Sequence, residues 1–218
     1  QEGLLLSGSV SSTDADDNAQ ATYSVVGEAP AGLSFHADGS WDFDASDAAY
    51  NSLAVGESTD VTVSYQVDDG QGGTDTNSFV ITVTGTNDAP VATYSAELDV
   101  AEDGDIIGGQ LSSSDADLSD GASYALQGDA IAGLVINADG SWSFDPTVDA
   151  YQHLGAADSE LITVNYRVED GNGGSDTGSF TITVSGTNDA PVATYDSADT
   201  VQEGLLLSGS VSSTDADD

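Results

Sequence analysis

The apolar residues of this chain alternate with polar residues in short stretches. The stretches "DVTVSYQV" (60–67) and "SFVITVT" (78–84) place Val, Ile, Tyr or Phe at every second position. The same patterns return as "LITVNYRV" (161–168) and "SFTITVS" (179–185). A period of two that is bounded by Gly and Asp is typical of a half-buried antiparallel strand. We therefore predict an all-β protein.

Turn signals separate the alternating stretches. Asp38-Gly39 and Asp139-Gly140 predict hairpin turns, because an Asp-Gly pair tolerates a positive φ angle. Roughly seven short strands in about 100 residues are typical of an immunoglobulin-like β-sandwich. The pattern therefore predicts tandem sandwich modules of this kind.

The chain is internally repetitive. The decapeptide "GTNDAPVATY" occurs at 85–94 and again at 186–195, a shift of 101 residues. A second shift, of 201 residues, relates the identical segments 1–17 and 202–218, "QEGLLLSGSVSSTDADD". We interpret these two shifts as an alternation of two module types, with one doublet every 201 residues.

The repeats predict three domains. Residues 1–86 form module 1, which lacks its first strand; residues 87–187 form module 2; residues 188–218 form the N-terminal fragment of a third module. The tail, residues 192–218, is too short to bury a core of its own, so we expect it to be disordered or to pair with an open sheet edge. Our hypothesis is that it fills the missing first strand of module 1 in another copy, which would give head-to-tail association.

The net charge of the chain restricts the classes of molecule that it can bind. The 218 residues carry 39 acidic residues and a single cation, Arg167, so that the formal net charge is -38. Such a chain repels nucleic acid and anionic membranes. No cysteine is present, and no apolar run is long enough to insert into a membrane. High net charge is also typical of disordered chains, but the strand-like alternation favours a folded protein.

Acidic and amide residues recur at fixed places in the predicted loops and strand ends. These candidate metal ligands are Glu2, Asp14, Asp16, Asp69, Asn87, Asp88, Glu102, Asp103, Asp115, Asp117, Asp170, Asn188, Asp189, Glu203, Asp215 and Asp217. Calcium takes about 6–8 oxygen ligands from carboxylates, amides and carbonyls, and Asp-x-Asp in extended backbone can point two carboxylates to one side. Clustered carboxylates also repel one another unless a cation neutralises them. We predict calcium sites; the alternative is a set of solvated acidic loops.

At these residues the chain resembles a known family. The order "VSSTDADDNAQATYSVVG", "VDDGQGG" and "GTNDAP" resembles cadherin repeats, and still more the bacterial cadherin-like modules called VCBS repeats of giant secreted RTX-type adhesins. The resemblance covers essentially the whole chain. It implies an extracellular string of cadherin-like β-sandwiches with calcium at the junctions.

The resemblance also implies which residues hold the metal. At the first junction the linker would give Asn87 and Asp88, the following module Asp115, Asp117 and Asp170, and the preceding module Glu2. The matching residues at the second junction are Asn188, Asp189, Asp215, Asp217, Glu102 and Asp103.

The sequence differs from the cadherin pattern in two places. Gly85 and Ala89 replace an Asp and an Asn of the cadherin linker. The Leu-Asp-Arg-Glu motif is not recognisable, and Asp47 and Glu57 are the candidates for its role. We therefore expect fewer ions at each junction than in cadherins.

The predicted function is mechanical. We expect a calcium-rigidified spacer that projects a distal binding domain from a bacterial cell surface, with neighbouring modules as its partners, in adhesion and biofilm formation. One alternative is an adhesive module, homophilic or carbohydrate-binding, and another is a filament subunit joined by strand exchange. The adhesive alternative predicts an exposed aromatic or apolar patch on one module type alone.

Enzymatic chemistry is not predicted. His36 and His153 do not recur between the modules, and the chain has neither a nucleophile-elbow motif nor a phosphate-binding loop. Trp41 and Trp142 each follow an Asp-Gly turn in alternation with Phe, which favours a core or half-buried sheet face over an exposed sugar platform.

Overall fold

The structure is a computed structural model that describes residues 3–15, 20–195 and 199–217. Every regular element in these ranges is a β-strand, which confirms the all-β prediction. The same ranges contain no helix that is long and apolar enough to cross a membrane. The strands are β1 (Leu5–Ser9), β2 (Thr22–Val25), β3 (Leu33–Phe35), β4 (Ser40–Asp44), β5 (Ser58–Asp68), β6 (Thr74–Thr84), β7 (Val91–Ala92), β8 (Glu97–Ala101), β9 (Ile107–Gln110), β10 (Ser113–Ser114), β11 (Ser123–Leu126), β12 (Leu134–Ile136), β13 (Ser141–Phe144), β14 (Ser159–Glu169), β15 (Ser175–Ser185), β16 (Val192–Ala193) and β17 (Ser213–Thr214).

The chain forms two compact units. The first comprises Gln1–Pro90, Asp115–Gly121 and Glu169–Gly174. It contains two three-stranded antiparallel sheets, in the orders β1-β4-β3 and β2-β5-β6. Its core includes Phe43 and Val63, which are at most 1% exposed.

The second unit comprises Val91–Ser114, Ala122–Val168 and Ser175–Asp218. It contains a four-stranded sheet in the order β11-β14-β15-β8 and a three-stranded sheet in the order β12-β13-β9. Strand β8 runs parallel to β15 and covers its edge, with Val100 opposite Val184. The short pairs β7-β10 and β16-β17 complete the strand pairing of this unit.

Equivalent apolar residues of the alternating strands are buried to different degrees in the two units. Val164 and Tyr166 of β14 are fully buried. In β5, Val63 is equally buried, but Tyr65, the counterpart of Tyr166, is only half-buried. The second unit therefore has the more complete core, because β7, β8 and the residues between them add apolar side chains to it.

The two Asp-Gly turns form as the sequence predicts. Gly39 and Gly140 both have a φ of 84°, where a residue with a side chain would be strained. The Asp38 carboxylate accepts hydrogen bonds from the backbone N–H and the hydroxyl of Ser40, at 2.9 and 2.6 Å. The turns thus connect β3 to β4 and β12 to β13 as antiparallel pairs.

The difference in burial predicts unequal effects of one substitution at equivalent positions. Phe180 is 2% exposed and stacks at 4.8 Å on Trp142, whereas Phe79 stacks at 4.9 Å on Trp41 but is half-buried. Phe180→Ala should lower the unfolding free energy of the second unit by about 3–5 kcal/mol, and Phe79→Ala should cost the first unit less. Urea unfolding followed by tryptophan fluorescence tests this, because each unit holds one Trp. Equal losses would contradict the difference in core packing.

Candidate metal centres

Three segments bring acidic residues together within the first compact unit. Asn87 and Asp88 come from the linker, Asp115 and Asp117 from the loop after β10, and Asp170 from the loop after β14. The backbone N–H of Asp88 donates to Asp117 Oδ2 at 2.8 Å, and Asn87 Nδ2 donates to Asp170 Oδ2 at 2.9 Å. We call this group, together with Asp120, the first cluster.

Asp170 is anchored by its own loop. Its Oδ1 accepts hydrogen bonds from the backbone N–H groups of Asn172, Gly173 and Gly174, at 2.7, 2.9 and 3.0 Å. A side chain at position 174 would collide with Asp170 Oδ2 and Asn87 Nδ2, so Gly permits this approach. The hydrogen bond from Asn87 is the main reason that the pKa of Asp170 lies below its ordinary value; burial opposes it, and the backbone donors support it. Asp170 is therefore held as a carboxylate.

Asp117 is the most buried acid of the first cluster, at 1% exposed. Its Oδ2 accepts from the backbone of Asp88, but its buried Oδ1 has no hydrogen-bond partner among the described residues. Burial raises the pKa of Asp117, and the negative charges of Asp88, Asp120 and Asp115 raise it further. A charged Asp117 is thus unfavourable here unless a cation reaches Oδ1.

Asp120 also belongs to the first cluster, although comparison of the two repeats does not identify it. One carboxylate oxygen from each of Asp115, Asp120 and Asp170 lies within 4.8 Å of the other two. Asn172 Nδ2 donates to Asp120 Oδ2 at 2.8 Å, which orients that carboxylate. A shift of 101 residues places Ala19 opposite Asp120, so recurrence gives no signal for it. The spacing "DADLSD" is the available signal.

The donor set of the first cluster fits a hard divalent cation. Asn87 Oδ1 and Asp117 Oδ1 are buried oxygens without a hydrogen-bond partner in the described part of the chain. Buried oxygens are normally satisfied, and an unsatisfied carboxylate oxygen is costly. The neighbouring triad of carboxylates adds the charged oxygens that calcium prefers.

A second cluster lies within the second compact unit. Glu102 is 1% exposed, and its Oε1 accepts from the backbone N–H of Thr187 at 2.7 Å. The hydroxyl of Thr187 donates to Asp103 Oδ2 at 2.8 Å. Asp189 N–H donates to Asp217 Oδ2 at 2.9 Å, as Asp88 does to Asp117. We call Glu102, Asp103, Asp189, Asp215 and Asp217 the second cluster.

In the second cluster, burial and neighbouring negative charges likewise disfavour a charged carboxylate. Burial raises the pKa of Asp189, and the charges of Asp103, Asp217, Glu102 and Asp215 raise it further. Glu102 Oε2 and Asp217 Oδ1 are buried without hydrogen-bond partners among the described residues. The second cluster therefore also fits a cation.

The other ligands of this cluster differ from those of the first. Asn188 Nδ2 donates to the carbonyl of Asp189 at 2.7 Å rather than to a carboxylate. The residue equivalent to Asp170 does not occur within the 218 residues for this cluster.

The remaining predicted ligands belong to module 1 and the tail. Asp69 repeats the anchoring of Asp170, since its Oδ1 accepts from the N–H groups of residues 71 and 73 at 2.7 and 2.9 Å. Asp14 and Asp69 line one common groove, and Glu203 is exposed. Glu2 and Asp16 lie outside the described residues.

Asp47 and Glu57 have local roles. Asp47 Oδ1 accepts from the N–H of Ala49 at 3.0 Å, and Glu57 Oε2 accepts from the N–H of Ala54 at 3.2 Å. Both carboxylates thus stabilise the turn region between β4 and β5. Their role in place of the missing cadherin motif stays a prediction.

Solved structures share this fold. The chain is similar to human mucin-like protocadherin EC1-2, with a TM-score of 0.51, 15% identity, and coverage of 85% of this chain and 92% of that one. It is also similar to human CDH23 EC21-23, with a TM-score of 0.55, 15% identity, and coverage of 91% and 69%. At this identity the likeness concerns the fold alone, and it confirms the cadherin-like sandwich. The chain spans about a third to a half of the length of other cadherin structures that it matches.

Sequence comparison gives the family. Residues 87–186 match the bacterial cadherin-like domain, and residues 1–82 match the bacterial Ig domain. Neither domain family is enzymatic, in agreement with the sequence prediction. The chain is also similar to the calcium-binding lectin RapA2 of Rhizobium johnstonii, at 30% identity over 174 residues, which cover 69% of this chain and 70% of RapA2. The chain therefore belongs to the family of bacterial cadherin-like and Ig-like proteins.

Proposed function

We propose that this chain is a calcium-rigidified spacer of a bacterial surface adhesin. The observation that carries the proposal is the pair of buried, unpartnered oxygens in the first cluster, Asn87 Oδ1 and Asp117 Oδ1. They stand beside three carboxylates that each bring one oxygen within 4.8 Å of the other two. The calcium-binding relative and the cadherin-like family give independent support.

Calcium would be held by the first cluster through the linker and two loops. Asn87 would offer an amide oxygen, and Asp115, Asp117, Asp120 and Asp170 would offer carboxylates. A divalent cation supplies positive charge that the chain, with its single Arg, almost lacks. It would offset the burial, and then the repulsion, that raise the pKa of Asp117. The linker would then be tied to both loops, so its backbone would lose freedom.

The repetition of the clusters supports a spacer. The second cluster repeats the contact of the linker Asp with Asp-x-Asp, so each repeat would carry one such centre. Extracellular calcium modules have dissociation constants of about 10⁻⁴–10⁻³ M. Such a chain would be flexible in the calcium-poor cytosol and rigid outside the cell. We propose an extracellular location on the bacterial surface and a role in adhesion and biofilm formation.

Carbohydrate binding is the second candidate, because RapA2 is described as a lectin. Trp41 is half-buried whereas Trp142 is 4% exposed, so a sugar platform would belong to module 1 alone. Addition of a bacterial polysaccharide should then quench fluorescence in the wild type but not in Trp41→Phe. The spacer alone predicts no change in either protein.

Calcium should stiffen the chain reversibly. Small-angle X-ray scattering of the 218-residue chain, titrated with calcium, should show the maximum dimension and rigidity rising to a plateau. A chelator should return the curve to its starting form. Scattering that is insensitive to calcium would show that the clusters are solvated acidic loops, and the metal sites would be withdrawn.

Asp117→Asn should have opposite effects with and without calcium. In chelator it should leave the melting temperature unchanged or raise it, because Asn removes an unfavourable buried charge. In calcium it should weaken binding by roughly tenfold or more, because affinity depends on the number of charged ligands. Thermal unfolding and isothermal titration calorimetry measure the two effects.

Two variants control this experiment. Asp99→Asn changes the charge equally at an exposed position of β8 and should leave calcium binding unchanged. Glu102→Gln should remove binding at the second cluster and leave the first intact. If Asp117→Asn and Asp99→Asn bind calcium alike, Asp117 is not a ligand.

A further inference from the structure

The loop after β14 contains the one place in the sequence where an Asn precedes a Gly, at Asn172-Gly173. Each of the other Asn residues is followed by Ala, Ser, Asp or Tyr. Asn is among the chemically labile residues of proteins, because its side-chain amide can be attacked by the backbone nitrogen of the next residue. A following Gly, which has no Cβ, offers the least steric resistance to that attack. The sequence therefore singles out Asn172 among the Asn residues.

The structure leaves room for this reaction. Asn172 is exposed, so water reaches its amide. Gly173 has a φ of 112°, and a Cβ built on it would meet no atom within 4 Å. The N–H of Gly173 donates to Asp170 Oδ1 at 2.9 Å, so a proton acceptor lies within reach of the nitrogen that must lose its proton.

Asn172 also supports two carboxylates of the first cluster. Its Nδ2 donates to Asp120 Oδ2 at 2.8 Å, and its backbone N–H donates to Asp170 Oδ1 at 2.7 Å. The residues concerned all belong to the first compact unit. A chemical change at Asn172 would therefore reach Asp120 directly, and Asp170 through the backbone of the loop.

Module 1 contains the same loop with a less labile residue. Gln71 stands 101 residues before Asn172 and is also followed by a Gly. Its N–H donates to Asp69 Oδ1 at 2.7 Å, as the N–H of Asn172 does to Asp170. The longer Gln side chain would have to close a six-membered ring instead of a five-membered one, which is much slower. Gln71 is thus an internal control for Asn172.

We propose that Asn172 is a site of spontaneous deamidation that releases the anchors of Asp120 and Asp170. The nitrogen of Gly173 loses its proton and bonds to Cγ of Asn172. The bond from Cγ to Nδ2 breaks, and Nδ2 leaves as ammonia, which gives a cyclic succinimide. Water then opens the ring at one of its two carbonyls, so that position 172 becomes Asp or isoaspartate. Water is the only other reactant, and no oxidation or reduction takes place.

Both products change the first cluster in the same direction. Each replaces the amide donor to Asp120 Oδ2 by a carboxylate, so an attractive contact becomes a repulsive one. Isoaspartate also adds a methylene group to the backbone between residues 172 and 173. This insertion displaces the N–H of Gly173 from Asp170 Oδ1, which it contacts in the structure. The change is irreversible, so it accumulates with the age of the chain.

Calcium should protect this site, a consequence that rests on the proposed calcium function. A cation held by Asp120 and Asp170 would restrain the loop, and ring closure needs the Asn172 amide to leave Asp120. Loss of residues that orient metal ligands typically weakens metal binding by about 10–100-fold. Deamidation should accordingly weaken calcium binding at the first cluster roughly tenfold or more.

The first test is ageing of the full chain in chelator at mildly alkaline pH. Peptide mapping by mass spectrometry should show Asn172 gaining the mass of a carboxylate over an amide roughly tenfold faster than the exposed Asn51 and Asn137. Gln71 should keep its mass. The mass gain separates this reaction from isomerisation of Asp-Gly pairs, which leaves the mass unchanged. Equal rates at Asn172, Asn51 and Asn137 would overturn the proposal.

A second test asks whether the anchors are lost. Amide hydrogen exchange over residues 170–174, measured in chelator, should be faster in aged than in fresh wild-type protein. Asn172→Gln, which gives this loop the residue of module 1, should show the same exchange before and after ageing. Unchanged exchange in wild-type protein that is deamidated at position 172 would contradict the release of Asp170.

The calcium conditions separate this inference from the proposed function. Fresh protein that binds calcium in calorimetry and deamidates more slowly in calcium than in chelator would support both. Fresh protein that binds no calcium would end the proposed function, while fast mass gain at Asn172 in chelator would still support the deamidation site. Calcium binding that is equal in fresh and fully deamidated protein would overturn the predicted effect on the first cluster.

Discussion

The carboxylates of this chain have almost no positive side chains to pair with, so a buried carboxylate depends on hydrogen bonds from the chain or on a cation from outside it. Arg167 is the only cation against 39 acidic residues. The fold nevertheless buries Asp117, Glu102 and Asp170. Asp170 is satisfied by Asn87 and by its own loop, but Asp117 and Glu102 each keep one unpartnered buried oxygen among the described residues. This combination of burial and missing counter-charge is the physical basis for proposing that a cation holds these loops.

Much of the fold follows from the sequence because period-two burial is a local property. The alternation in β5, β6, β14 and β15 marks which residues face the core, and Asp-Gly at 38–39 and 139–140 fixes two turns. The parallel pairing of β8 with β15 is different, because it joins residues that are over 80 positions apart. The local sequence pattern of β8 does not specify which strand it pairs with, and therefore this pairing was not predicted from the sequence. The unequal burial of Tyr65 and Tyr166 depends on this pairing, and therefore it could not be predicted from the sequence either.

The site was predictable where it repeats. Recurrence singled out Asp115, Asp117 and Asp170, and the structure brings them together with Asn87 and Asp88. Asp120 was missed because Ala19 stands at the equivalent position, although its oxygens approach those of Asp115 and Asp170. Repetition identifies residues that the two repeats share, but it does not identify a residue that only one repeat contains. The orphaned oxygens of Asn87 and Asp117 are a property of packing and could only be seen in three dimensions.

The single arginine has a consequence for resistance to proteolysis. Proteases that cut after Lys or Arg find one bond to attack in 218 residues, between Arg167 and Val168. That bond lies inside β14, Val168 is fully buried, and Arg167 Nη2 donates to Ser175 Oγ at 3.0 Å. Cleavage therefore requires the central strand to open, and its rate is limited by the population of that open state. A chain of this composition resists trypsin-like digestion through the scarcity and burial of its cleavage site, without any disulfide.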